Sequence, residues 1–509
     1  MLHMVTSFGV AGIDSFPVRT EVNVSFGMPA FEIVGLPDAT VRESRERVKA
    51  AIVNSGYKMP EERITINLAP ADRKKEGPCF DLPIAIGLLA CKRDVPGASL
   101  DGVAFIGELS LNGAIQPVRG ALPMTLAARH AGLKAIVLPA GNAMEVRCVD
   151  GITILPASHI SQVVDHLAGK KPLESITPVP YTQLLSERTF ASDFMHVKGQ
   201  TAAKRALEIA AAGGHNVLLI GPPGSGKTLL ARCMPSILPD MSFEEALEVT
   251  RIHSVSGSIP ESGLITERPF RAPHHTASQP SLVGGGSNAM PGEISRAHNG
   301  VLFLDELPEY SRSVLETLRQ PMEDGFVTIT RANATAVYPS SFTLVCSMNP
   351  CPCGNYGSRT QTCRCSAVDI RRYLNRVSGP LLDRIDLHVE VVSMEASEIA
   401  APTLSESSAS IRERVCAARS IQAERFKGTS IRTNARLDAR SLSAHCKLTP
   451  GANAILRQAC SVMSLSNRAA TRVIKVARTI ADLAGASTIS ESHLAEAIQY
   501  RSLDRKYWS

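Results

Sequence analysis

Asn216-Val217-Leu218-Leu219-Ile220-Gly221-Pro222-Pro223-Gly224-Ser225-Gly226-Lys227-Thr228-Leu229-Leu230 is the stretch that decides the architecture. An apolar run of strand length gives way to the pattern G-x-x-x-x-G-K-[ST], which then opens a helical run through Cys233. Glycine lets successive backbone N–H groups close around phosphate oxygens, and a helix N-terminus adds partial positive charge. The loop Gly221, Pro222, Pro223, Gly224, Ser225, Gly226 is therefore expected to cradle a nucleoside triphosphate, ATP, with Lys227 reaching the β- and γ-phosphates. Thr228 is expected to ligate Mg²⁺.

A second apolar strand, Val301-Leu302-Phe303-Leu304, ends in Asp305-Glu306 about 75 residues downstream. At the carboxyl end of a central parallel strand, such a pair lies beside the phosphates. Asp305 is expected to serve the Mg²⁺ site and Glu306 to polarise an attacking water. A third strand, Phe342 to Met348, ends at Asn349, a candidate for orienting that water. Strand, loop, helix, acidic strand and polar-tipped strand follow the order of an AAA+ ATPase. The expected fold class is α/β: an N-terminal α+β domain, a parallel-sheet ATPase core and a C-terminal helical lid.

The remaining chain fills in that outline. A length of 509 residues suggests about three domains, and 44% hydrophobic content is ordinary for a globular protein. Apolar runs such as Ile84 to Cys91 are too short for a membrane span, and Met1 to Thr6 shows no charged signal-peptide start, so a cytoplasmic location is expected. There the 12 cysteines read as thiols or metal ligands before disulfides. A net charge of +6 permits a polyanionic partner without requiring one. Prolines between Lys170 and Pro180, and a change to helical periodicity near Ala401 to Ser408, mark two seams. The expected domains are 1–170, a linker 171–189, an ATPase core 190–400 and a helical lid 401–509.

From Gly199 to about Leu483 the motifs resemble the ComM/YifB family of magnesium-chelatase-like AAA+ ATPases. Its specific segments are Arg268 to Ser278 (RPFRAPHHTAS), the acidic strand followed by Leu307-Pro308-Glu309-Tyr310, and Gly379 to Val389 (GPLLDRIDLHV). The resemblance implies a ring, usually a hexamer, with ATP held between subunits. It implies that Arg384 is the arginine finger reaching a neighbour's site, the alternative being a salt bridge with Asp383 or Asp386. It implies that Arg468 is the lid arginine called sensor 2, with Arg472 one turn on, and that Gln200 lies near the adenine pocket. His274 and His275 are adjacent and so unsuited to one metal ion; they fall in a proline-bounded loop which in related ATPases projects toward the pore. The alternating stretch Val327 to Val337 predicts a hairpin, with Arg331 near its tip as a DNA phosphate contact.

Directly after Asn349 come Cys351, Cys353, Cys363 and Cys365, two C-x-C pairs with nine residues between them. Four thiolates could hold one structural Zn²⁺, the alternative being unliganded loop thiols. Arg359, Arg364, Arg371, Arg372 and Arg376 surround this loop, and Arg359 and Arg364 are candidate DNA contacts.

Residues 1 to about 168 resemble the proteolytic domain of Lon, most clearly over Ile106 to Gly120 and Gly132 to Gly141. In the resemblance the nucleophile position falls on Cys79 and the lysine position on Leu122. Leucine accepts no proton, so the serine–lysine mechanism is lost and an inactive domain is expected. RadA, a branch-migration protein, also carries a Lon-like fold fused to an ATPase, an analogy toward nucleic acid. The expected function is an ATP-dependent hexameric DNA motor for branch migration, promoting integration of DNA during natural transformation. Its competitors are a chelatase-like motor that remodels a protein partner and an ATP-dependent peptidase.

Overall fold

Strands that are buried on both faces read as unbroken apolar runs, and this chain has two sheets built partly on that principle. The computed structural model describes residues 1–186, 190–286, 289–331, 334–357, 361–393, 405–463 and 465–508. The N-terminal sheet has seven strands in the order Ala30–Val34, Arg63–Ala69, Asp14–Ser25, Leu2–Ala11, Val103–Phe105, Ala135–Pro139, Thr153–Ala157. Leu2–Ala11 and Asp14–Ser25 form a long antiparallel hairpin that closes at Ala11 opposite Asp14. Gly12 takes the left-handed conformation that so short a turn demands (φ 64°). The helix Asp81–Cys91, buried along its whole length, crosses this sheet. At Gly87 a Cβ would stand 2.5 Å from Val22 Cγ2, so only glycine permits the close approach.

The second sheet is parallel throughout, in the order Phe270–Arg271, Val301–Leu304, Thr343–Met348, Val217–Ile220, Leu387–Glu390. Every residue of Val217–Ile220, Val301–Leu304 and Thr343–Met348 is buried. Their carboxyl ends adjoin, with Ile220 paired to Met348 and Leu304 to Cys346. The phosphate loop, the acidic pair and Asn349 therefore emerge side by side. The hairpin Phe326–Arg331 with Ala334–Pro339 stands apart as its own two-stranded sheet.

C-terminal helices complete the core. Ser408–Arg425 packs on Thr201–Gly213 and on the phosphate-loop helix Lys227–Ile237, and Asn467–Leu483 buries one face in the same cluster. The N-terminal domain rests on the helix Phe243–Ser256, whose Ala246 and Val249 join its hydrophobic core. The proline-bearing segment after Lys171 lies along this domain, with Leu173, Ile176 and Val179 packed against it. Among the described residues, no helix is long and apolar enough to cross a membrane.

One buried carboxylate ties the sheet to the lid. Asp386 accepts the Asn216 N–H at 3.0 Å and the Arg472 guanidinium at 2.7 Å, with His215 Nδ1 3.6 Å away. Burial opposes its ionisation, but Arg472, His215 and the Asn216 N–H outweigh that and hold it well below the usual carboxylate range. Asp386→Ala should cost about 3–5 kcal/mol at pH 7, because Arg472 keeps its charge without a buried partner. A depressed pKa means that the stabilisation is complete above the unfolded value of about 3.9 and fades as pH falls below it. Urea unfolding at pH 7 and pH 3 should show the gap between wild type and variant narrowing in acid.

Candidate nucleotide site and cysteine cluster

Because the phosphate loop must bend sharply between strand and helix, its glycines carry the geometry. Gly224 and Gly226 adopt φ values of 74° and 88°, and a Cβ on Gly221 would lie 2.1 Å from the Val391 carbonyl. Lys227 Nζ donates to the carbonyls of Gly221 and Pro222, both at 2.8 Å, and to Asn349 Oδ1 at 3.2 Å. Burial lowers the Lys227 pKa to about 8, against the pull of Asp305 and Glu306. Gln200, in a left-handed conformation, donates to the Val392 carbonyl at 2.7 Å and to that of Ser225 at 3.4 Å.

Thr228 Oγ1 donates to Asp305 Oδ2 at 2.9 Å, and the Ser347 hydroxyl donates to Asp305 Oδ1. A hydroxyl and a carboxylate oxygen that converge beside the phosphate loop are the donor set that Mg²⁺ takes. Glu306 stands half-exposed beyond them in a left-handed conformation (φ 51°), a strained geometry for a non-glycine residue. His275 Nδ1 lies 3.6 Å from Glu306 Oε2. The Tyr310 hydroxyl holds the base of the histidine's loop by donating to the Pro273 carbonyl at 2.6 Å. His275, in the proline-bounded loop, faces Glu306. Ser347 and His275 were not legible as site residues. Ser347 reads as one more position of a buried strand, and the His-His pair draws the eye toward metals.

Arg384 and Arg468 are not beside this site. With Asp386, Arg436, Arg472 and Lys475 they line a cavity of about 360 Å³. Asn216 and Phe342, which open two of the parallel strands, also line it. This cavity therefore lies at the amino edge of the sheet, opposite the phosphate loop. Arg384 is buried and pairs with Glu323, donating also to the Pro380 carbonyl at 2.7 Å. Neither Asp383 nor Asp386 is its partner: the ion pair forms with a residue 61 positions away.

Cysteine sulfurs converge after Asn349. Cys351, Cys353, Cys363 and Cys365 place their Sγ atoms all within 4.8 Å of one another. Cys351 lies 3.4 Å from Cys353 and 3.7 Å from Cys363. A tetrahedral ion with bonds of about 2.3 Å needs sulfurs about 3.8 Å apart, whereas a disulfide needs about 2.05 Å. The Tyr356 N–H donates to Cys351 Sγ at 3.3 Å. Burial pushes the Cys351 thiol up to about 12, while the Arg364 and Asn355 backbone N–H groups draw Cys353 down to about 6.

Of the arginines expected near DNA, Arg364 is exposed, as are Arg371 and Arg372 on the helix Ala367–Leu374. Arg376 is committed to Glu309 at 2.9 Å. Arg359 and the Arg331 side chain lie outside the described residues.

The N-terminal domain offers no protease site at the matching positions. Cys79 is buried, burial raises its thiol pKa far above neutrality, and its nearest partner is the Phe8 carbonyl at 3.9 Å. Leu122 is fully buried, with only its backbone N–H engaged, by Glu145 Oε1 at 2.9 Å. Burial that keeps this thiol protonated works against a nucleophilic role.

Comparison with known proteins agrees with this layout. Family models described as magnesium chelatase, subunit ChlI, match residues 193–399, and those for subunit ChlI of Mg-chelatase and for the ChlI C-terminal region match 20–142 and 405–501. The chain is 45% identical to YifB of Escherichia coli over 99% of this chain and 98% of that protein. It is 43% identical to the competence protein ComM of Haemophilus influenzae, with the same coverage of both. Lon protease 2 of Bacillus subtilis is 28% identical over 31% of this chain and 29% of its own length.

The geometry around Glu306 yields a test. Glu306→Gln should bind ATP with unchanged affinity and lose turnover, and His275→Ala should lower kcat by about tenfold without moving the dissociation constant. Single-turnover hydrolysis beside equilibrium binding of a fluorescent ATP analogue separates the two effects. An unchanged kcat in His275→Ala would leave that histidine as a packing partner of Tyr310.

Proposed function

Because this chain belongs to the ComM/YifB family of magnesium-chelatase-like AAA+ ATPases, with a Lon-like N-terminal domain, we propose that it is a Mg-ATP-driven ring motor acting on DNA. The observation that carries the reading is the convergence of Lys227, Thr228, Asp305, Glu306 and Asn349 at one sheet edge. Lys227 binds the β- and γ-phosphates after exchanging its carbonyl partners for phosphate oxygens. Thr228 and Asp305 hold Mg²⁺, which supplies charge neutralisation on those oxygens. Glu306 takes a proton from the attacking water, and Asn349 orients that water against the γ-phosphorus. Gln200 and the Val392 carbonyl close the site on the base side.

Hydrolysis needs positive charge on the γ-phosphate that this site does not itself complete. Arg384 and Arg468 lie at the opposite edge, where Arg436, Arg472 and Lys475 add to a cationic cavity. A closed ring sets the amino edge of one subunit against the carboxyl edge of the next. Arg384 then leaves Glu323 for the neighbour's γ-phosphate, and Arg468 follows it. A hexamer is the ring we propose. The similarity to the competence protein ComM supports a role on DNA taken up in natural transformation, where moving a branch point would extend the heteroduplex. Arg331, Arg359 and Arg364 are its proposed phosphate contacts. The four thiolates would hold a structural Zn²⁺, which would supply a cross-link and no catalysis.

Steady-state ATP hydrolysis with and without single-stranded and branched DNA tests the motor. DNA should raise the wild-type rate several-fold, and Lys227→Ala and Glu306→Gln should be silent under all conditions. A rate indifferent to DNA would point instead to a motor that remodels a protein, as the chelatase relationship suggests. Mixing supplies the test of shared sites: Arg384→Ala and Lys227→Ala, each inactive alone, should regain turnover when co-assembled. No recovery on mixing would place the finger in its own subunit's site.

A further inference from the structure

The cysteine cluster lies against the phosphate loop. Its segment leaves the carboxyl end of Thr343–Met348 at Asn349, which already receives Lys227, and crosses the edge of the sheet toward Leu387–Glu390. Between the first two cysteines and Tyr356 it turns at Gly354, whose N–H donates to the Cys351 carbonyl at 3.0 Å. Gly354 has φ 81°, and a Cβ there would stand 2.5 Å from Cδ and 3.2 Å from Cγ of Pro223. Backbone of the cysteine loop therefore touches the outer face of the phosphate loop at a point where only hydrogen fits. Two residues on, Tyr356 and Gly357 line a cavity of about 210 Å³ together with Gly221, Pro222, Val392 and Tyr507. Tyr356 meets the Tyr507 ring edge-on, with centroids 6.2 Å apart.

Among its described residues, this segment buries little side-chain surface of its own. Cys351 and Gly354 are buried, but Pro352, Cys353, Tyr356, Gly357, Gln361, Thr362 and Arg364 are exposed. A loop without a core of its own stays ordered only if a cross-link supplies the closure energy that burial does not. Four sulfurs within 4.8 Å of one another are such a cross-link once a metal joins them.

We propose that the four-cysteine metal site is a buttress of the nucleotide pocket: a Zn²⁺ bound by Cys351, Cys353, Cys363 and Cys365 presses the Gly354 backbone onto Pro223 and so preorganises the phosphate loop for ATP. The inference rests on the zinc and ATP readings above and changes what the loop is for. Its contacts run to the phosphate loop, so nucleotide affinity depends on the metal. A phosphate loop whose N–H groups already converge loses less freedom on binding, which appears as tighter binding of the nucleotide.

Two variants of the full-length protein, each carrying Glu306→Gln to stop turnover, separate metal from contact. Cys353→Ser with Cys363→Ser removes two ligands. Gly354→Ala keeps all four ligands and forces a methyl group into Pro223. Elemental analysis should find about one zinc per chain in the parent and in Gly354→Ala, and none in the double cysteine variant. Equilibrium binding of a fluorescent ATP analogue should weaken by about tenfold in both variants. Gly354→Ala should bind labelled single-stranded DNA without nucleotide at the parent value, and matching thermal melts show that the fold is intact.

Zinc lost with nucleotide affinity unchanged would overturn the buttress while leaving the zinc assignment in place. A parent protein without metal would overturn the metal's part, and weaker binding in Gly354→Ala would then report the contact alone. Loss of DNA binding with normal nucleotide binding would assign the loop to DNA instead. If the parent itself failed to bind the analogue, as Lys227→Ala should, the ATP reading would fall and not the buttress.

Discussion

Burial of three parallel strands on both faces is the constraint from which the rest follows. Val217–Ile220, Val301–Leu304 and Thr343–Met348 present no polar side chain to water along their lengths, so chemistry is confined to where they end. Their register brings Ile220 level with Met348 and Leu304 level with Cys346. Lys227, Asp305 and Asn349, each only a few residues past its strand, must then meet. The contacts from Lys227 to Asn349 and from Thr228 to Asp305 are the direct consequence. At the other edge the same register gathers Asn216, Phe342 and Asp386, and with them the cationic cavity that includes Arg384. One sheet thus has an anion-cradling edge and a cation-lined edge, separated by about 13 Å of strand. That polarity suits head-to-tail assembly.

What could be read from the sequence was whatever is local. A phosphate loop between strand and helix carries its whole meaning in eight consecutive residues, Gly221 to Thr228. The acidic pair and Asn349 were legible because each ends an apolar run. The cysteine cluster was legible as a possible metal site from two short spacings, although the spacing says nothing of what the loop leans on. The contact of Gly354 with Pro223 joins residues 131 positions apart, by 354 minus 223, and leaves no pattern in either segment. The Arg384–Glu323 pair was missed for the same reason, since nearby Asp383 and Asp386 looked like the natural partners. His275 was missed through its company, because a His-His step raises the question of metal, and the answer to that question hides a different neighbour.

The Lon-like N-terminal domain departs from the serine–lysine pattern at both matching positions. The positions that match the Lon nucleophile and base are packed as interior: Cys79 and Leu122 both belong to the hydrophobic core. Close by, Asp81 is fully buried with the Ser44 hydroxyl and the Arg47 guanidinium, whose Nε donates to it at 2.7 Å. A buried carboxylate so satisfied is a structural element, and its removal would strand Arg47. What such a domain offers its neighbours is shape and surface.

That surface is where the domain meets the motor. The helix Phe243–Ser256 serves both sides at once: Ser254 accepts the Gly120 N–H through its carbonyl at 3.2 Å and donates its hydroxyl to the buried Glu145. On the same helix Glu245 accepts Arg268 at 3.0 Å, and Arg268 also donates to the Pro239 and Asn299 carbonyls at 2.6 and 2.7 Å. Arg268 opens the segment that runs through Phe270–Arg271 to His275, and His275 faces Glu306. Contacts are therefore continuous from the Lon-like domain, through one helix and one edge strand, to the glutamate at the acidic strand's end. A domain placed on that helix constrains the position of the segment that carries His275, since Arg268 has four fixed partners and little freedom to yield. The Lon-like domain thus bears, through fixed contacts, on the segment that faces Glu306.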